Sequence, residues 1–152
     1  MAATAWQLYN SAKRYIGNGT ITLGAGVFKM VLAQTASNAS TFTLSTYASV
    51  TNEVAAAGGY VTGGRNLVPA TAQWVQGASA KQQKFTMSAV GLAFTASGAN
   101  LVNVRYAILR NSTGANAGKL LCFCQLSSSQ FTVTAPNTLT VLPAATGIFT
   151  LT

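Results

Sequence analysis

The sequence has no histidine and no aspartate, and its only side-chain carboxylate is Glu53. General acid–base catalysis draws nearly all its groups from these residue types, because their pKa values can be brought near the working pH. That leaves Glu53, Cys122 and Cys124 as the only candidates for such chemistry. Hard cations need several carboxylate oxygens, and zinc needs clustered cysteine, histidine or carboxylate ligands, so one glutamate and two cysteines cannot enclose an ion. No uninterrupted apolar run approaches the roughly 20 residues of a membrane-spanning helix. The start of the chain, Met1-Ala-Ala-Thr-Ala-Trp6, lacks the basic residues, apolar stretch and cleavage site of a secretory signal, which points to synthesis in a cytoplasm. No catalytic residue, cofactor or metal is expected, and a structural or binding role leads.

Charge is scarce as well. Only 7% of the 152 residues are charged while 49% are hydrophobic, so the surface must be built largely of Ala, Thr, Ser, Gly, Asn and Gln. A neutral surface of that kind suits a protein that assembles. The length suits one domain, residues 1–152, large enough to bury about 68–70% of its unfolded surface without disulfides or metal. Cys122 and Cys124 sit two apart in Leu120-Leu-Cys-Phe-Cys-Gln-Leu126, so on a strand both point to one face. They read as buried free thiols behaving as small hydrophobes, since a disulfide between them would be strained.

What is present is mostly strand. Trp6, Tyr9, Ala12 and Ile16 follow helical spacing, which predicts a helical segment within residues 1–17 that Gly17-Asn-Gly19 stops. Thereafter Ile21 to Leu32, Phe85 to Phe94, Leu101 to Arg110, Lys119 to Leu126 and Gln130 to Thr134 read as strands, the first broken near Gly24-Ala-Gly26. Residues 111–118 have the composition of a hairpin loop, and the tail reads as strand split at Pro143-Ala-Ala-Thr-Gly147. Gln34 to Ser45 reads as loop or edge, and Tyr47 to Ala57 as a short helix or irregular segment. Gly58-Gly-Tyr-Val-Thr-Gly-Gly64 places glycines at both ends of a short extended piece, where positive φ is cheap only for glycine. No lysine or serine completes a phosphate loop there. Many short strands with one helix in front predict an all-β fold, a single antiparallel β-sandwich of jelly-roll type with a short N-terminal helix.

Several stretches stand out: Trp6-Gln-Leu-Tyr-Asn-Ser11, Gly17-Asn-Gly-Thr-Ile-Thr-Leu23, Val27-Phe-Lys-Met-Val-Leu32, Thr51-Asn-Glu-Val54 and Gly58-Gly-Tyr-Val-Thr-Gly-Gly64, then Val104-Arg-Tyr-Ala-Ile-Leu109, Leu120-Leu-Cys-Phe-Cys-Gln-Leu126 and Gly147-Ile-Phe-Thr-Leu151. Together they resemble a family of small virion structural proteins of tailed bacteriophages. The resemblance implies a particle component, with a capsid decoration, or cement, protein as the first expectation. Its partners would be the major capsid protein and copies of itself, and its place the virion, assembled in the host cytoplasm. A tail, neck or fibre component is the alternative position.

Nine Lys and Arg against one acid give a formal charge of +8. Basic charge invites a nucleic-acid reading, but stacking needs exposed aromatics among the charges, and Phe28, Phe94, Tyr106 and Phe123 lie inside apolar strand patterns. Direct nucleic-acid binding is therefore not expected. The charges would instead steer encounter with an acidic capsid surface. The candidate contact residues are Trp6, Lys13, Arg14, Arg65, Lys81, Lys84, Arg105 and Arg110. Trp6 serves as an anchor whose first expected use is its own core. Glu53 is expected to pair with a cation or cap a backbone amide. Trp74, Tyr47 and Tyr60 form a possible sugar platform, weakened by the lack of aspartate to fix hydroxyls.

Overall fold

The computed structural model describes residues 3–67 and 73–152. Among these, eleven short strands and one helix follow in the order β1 (Gln7–Leu8), α1 (Asn10–Gly17), β2 (Phe28–Gln34), β3 (Arg65–Asn66), β4 (Trp74–Gln76), β5 (Gln83–Phe85), β6 (Leu92–Thr95), β7 (Leu101–Asn111), β8 (Leu120–Gln125), β9 (Phe131–Val133), β10 (Thr138–Val141) and β11 (Phe149–Leu151). The main sheet runs β1-β8-β7-β2-β3, with β9 also paired to β7. A three-stranded sheet, β11-β5-β4, and a two-stranded one, β10-β6, complete the set. Every pairing is antiparallel. The fold is thus mostly β with a single short helix near its start.

The centre of the main sheet is covered on both faces, and its sequences show why. A sheet with one wet face alternates apolar with polar residues, whereas one covered on both sides needs continuous apolar runs. Met30 to Ala33, Tyr106 to Leu109 and Leu120 to Cys124 are such runs, and all are buried. On the α1 side, Phe123 meets Tyr9 at 5.0 Å and Phe42 at 5.4 Å between ring centroids. The three-stranded sheet packs on β2 through Phe28 and Phe85, edge to face at 4.9 Å, and Phe85 stacks in turn on Phe149 at 5.3 Å. Such aromatic pairs add about 0.5–1.5 kcal/mol beyond their buried area. Cys122 and Cys124 are free and buried, as their strand context predicts.

Three boundaries differ from the sequence expectation. The helical segment predicted over residues 1–17, of which Met1 and Ala2 lie outside the described residues, is helical only from Asn10. Gln7 and Leu8 instead pair with Phe123 and Cys122, because the open edge of β8 offers hydrogen bonds that an isolated helical turn would have to make alone. The stretch from Ile21 to Leu32 divides near Gly24-Ala-Gly26 into a turn and a strand, as expected, but the strand, β2, begins only at Phe28 and extends past Leu32 to Gln34. The long strand predicted from Phe85 to Phe94 is two, β5 and β6, separated by a turn at Gly91, whose φ is +75°. The hairpin loop at 111–118 stands as predicted between β7 and β8, and the glycine-rich stretch has positive φ at Gly58, Gly59, Gly63 and Gly64. At Gly64 the requirement is absolute, since a Cβ there would lie 2.0 Å from the Met30 carbonyl oxygen.

Candidate functional site

Two features concentrate the chain's chemistry: the lone carboxylate and the distribution of the cations. Residues 52–54 continue the edge of β2, with Gln34 N–H donating to Asn52 O, Val54 N–H donating to Leu32 O and a bridge between Ala33 and Glu53. This register turns the Glu53 side chain toward the glycine-rich loop. There Tyr60 donates its hydroxyl to Glu53 Oε1 at 2.6 Å, Gly63 donates its N–H to the same oxygen at 2.7 Å, and Tyr47 donates its hydroxyl to Oε2. Glu53 therefore caps a backbone amide, one of its two expected roles. The other, direct pairing with a cation, does not occur among the described residues. Arg110 arrives indirectly, lying over the Tyr47 ring at 4.5 Å and donating from Nε and Nη2 to Gly63 O at 3.2 and 2.9 Å. Burial, reinforced by the hydrogen bond to Glu53, pushes the Tyr47 hydroxyl up to about 12, and the same two causes raise Tyr60 further. Both oxygens of the carboxylate are committed to holding the loop.

The eight predicted contact residues divide by what they already touch. Arg110 is spent at Gly63. Arg65, on β3, donates to the Ala93 carbonyl of β6, tying two sheets together. Arg105 donates to Thr35 Oγ1 at 2.9 Å and lies over Tyr106. Trp6 is half-buried against the core, and its ring forms part of the wall of an apolar groove of about 570 Å³. Leu126, Phe131, Leu139, Leu142 and Ile148 also line that groove. Lys13 and Arg14 stand exposed side by side on α1, and Lys81 and Lys84 lie on the β4–β5 hairpin, Lys81 exposed and Lys84 half-buried. The sugar platform is not assembled: Tyr60 is buried, Tyr47 lies beneath Arg110, and Trp74 packs beside Phe149 in the three-stranded sheet.

Two residues outside the predicted set belong with Arg14. Lys119 lies with its Nζ 5.2 Å from the centroid of the Tyr15 ring, the ring that Arg14 also overlies at 5.5 Å. Phe42, 45% exposed, sits beside the start of α1, where Asn10 N–H donates to its carbonyl at 3.0 Å. Lys119 had no local signal, since only long-range pairing brings it to α1. Phe42 had one, as a single aromatic in a run of Ser and Thr.

No candidate metal cluster and no helix long and apolar enough to cross a membrane is present among the described residues. No family model, curated protein or solved structure matches this chain.

Proposed function

We propose that this chain is a non-enzymatic structural protein of a tailed-bacteriophage virion, and that within the particle it is a capsid decoration, or cement, protein bound across joints between major capsid protein subunits. The observation that carries the reading is the make-up of the described surface. It is built of small neutral residues, it leaves Phe42, Val61, Val90 and Leu142 between 45% and 78% exposed, and its one carboxylate is turned inward. Single exposed apolar residues are ordinary. Their occurrence on a surface almost without acids fits one that is covered by another molecule. The commitment of Glu53 to loop hydrogen bonds and the burial of both thiols support the non-enzymatic part. The Phe28–Phe85 contact between sheets supports a β-sandwich as the finer description of the fold.

The mechanism is linkage. A protein that binds the assembled lattice and not the free subunit stabilises the lattice by its binding free energy at each site, and symmetric repetition multiplies modest contacts. Copies of this chain that also touch one another would add to that total. The test is the ratio of this chain to the major capsid protein in purified particles, by quantitative mass spectrometry. Hundreds of copies are expected for a decoration protein. A dozen or fewer would discard that position in favour of the tail, neck or fibres, and absence from particles would discard the virion reading altogether.

A further inference from the structure

The molecule's cations outnumber its carboxylates by nine to one, and the single carboxylate is consumed inside. With no internal counter-charge, the exposed cations make the surface attractive to an acidic partner. The question is which face presents them. In α1, at about 100° per residue, Ala12 and Tyr15 turn to the core while Asn10, Lys13 and Arg14 turn outward and are exposed. One flank of the helix is bound to the 42–46 segment: Asn10 N–H donates to Phe42 O at 3.0 Å and Ser11 Oγ donates to Leu44 O at 3.0 Å. That segment is bound in turn to the start of β8, through Leu120 N–H to Ser45 O and a bridge between Thr46 and Lys119. Lys119 then reaches back to Tyr15, where Arg14 also lies. The result is one continuous face with two cations, Arg14 and Lys119, and one exposed aromatic, Phe42.

We infer that this face, formed by Arg14, Lys119 and Phe42, docks on an acidic protein surface, with the cations meeting carboxylates and Phe42 as the apolar anchor. A second copy of this chain cannot be the occupant, because its only carboxylate side chain is committed to Tyr47, Tyr60 and Gly63. A nucleic acid fits less well. Single strands are held by successive stacking platforms, whereas Tyr15 is 7% exposed and lies beneath two cations, and Phe42 stands alone. One aromatic anchor with a charged surround is the composition of a protein-binding patch. The inference rests on the reading of the chain as an assembly component and names the face and partner chemistry.

The test uses the full chain and poly-glutamate at low ionic strength, with a single-stranded oligonucleotide as the rival probe. Arg14→Ser and Lys119→Ser should each weaken poly-glutamate binding about threefold, and together about tenfold, as partly exposed charge pairs do. Lys29→Ser, which removes the same charge from the middle of the main sheet, should weaken it less than about twofold, and all variants should melt with the wild type. Equal losses for Lys29→Ser, or no binding by the wild type, would overturn the inference. So would tighter binding of the oligonucleotide that the Arg14→Ser/Lys119→Ser chain loses, which would make the partner a nucleic acid. Particle occupancy separates the two readings. A doubly substituted chain that fills particles to wild-type copy number overturns the docking face alone, whereas a wild-type chain absent from particles overturns the virion reading alone.

Discussion

Glu53 shows at the scale of one residue how a lone charge can be structural. Three donors converge on its two oxygens, from Tyr47, Tyr60 and Gly63, so the carboxylate ties the glycine-rich loop to the turn that carries Tyr47. Glu53→Gln keeps the size but replaces one accepting oxygen with a donating amide, leaving a donor pointed at a donor. The expected loss is about 2 kcal/mol of folding stability, read as a lower urea midpoint with unchanged slope. An unchanged midpoint would mean that the three donors find solvent as readily as the carboxylate. The amide cap was expected of a lone anion, but nothing local marked its other partners, because Tyr47 and Tyr60 reach Glu53 through loop geometry rather than through any periodic pattern. The same holds for the arginines. That Arg65, Arg105 and Arg110 are cations was legible; that each donates a hydrogen bond inside the molecule was not, since the acceptors lie 28, 70 and 47 residues away in sequence.

Among the elements, the readable ones were those whose sequence had to be apolar. Strands β2, β7 and β8 stand near their expected places because burial on both faces forces continuous apolar runs. The edge and satellite strands β1, β3 and β4 are two or three residues long, too short to display any period, and they exist because a neighbouring edge was available. Trp6 and Tyr9 happen to fit helical spacing, and the pull of the β8 edge overrode it. The satellite sheet β11-β5-β4 hangs on Phe85, which bridges Phe28 of the main sheet and Phe149 of its own. Phe85→Ala is expected to cost about 3–5 kcal/mol and to release this sheet first. Hydrogen exchange should show lost protection in Trp74–Gln76 and Phe149–Leu151 before Leu101–Asn111; uniform loss would make the molecule a single cooperative unit.

For the whole molecule, the internal acids are thiols and phenols held in their protonated forms. Burial raises Cys124 from an ordinary value near 9 to about 12, Tyr47 from near 10 to about 12, and Cys122, Tyr9 and Tyr60 in the same direction. A pKa raised on folding means that the native state binds its proton more tightly. The associated stability is complete below the ordinary values and is lost as pH rises through the raised ones. These groups therefore leave stability unchanged from neutrality to about pH 9 and lower it between about pH 9 and 12. Thermal melting along an alkaline series should show that fall, with much of the tyrosinate absorbance arriving in the same step as unfolding. Gradual titration from about pH 10 with no loss of structure would contradict the burial of these rings.

The seam between β1 and β8 also bears on how the chain acquires its shape. Thr4 and Gln125, bonded through Gln125 N–H to Thr4 Oγ1, are 121 residues apart in sequence. A nascent chain emerging from its N-terminus has no partner for Gln7 and Leu8 until residues near Phe123 have been synthesised. Until then Trp6, Leu8 and Tyr9 lack the strand they pack beside, and closing so long a loop comes before the contacts that reward it. The edge of the main sheet is thus the part that closes late, and folding is expected to complete only after most of the chain has left the ribosome.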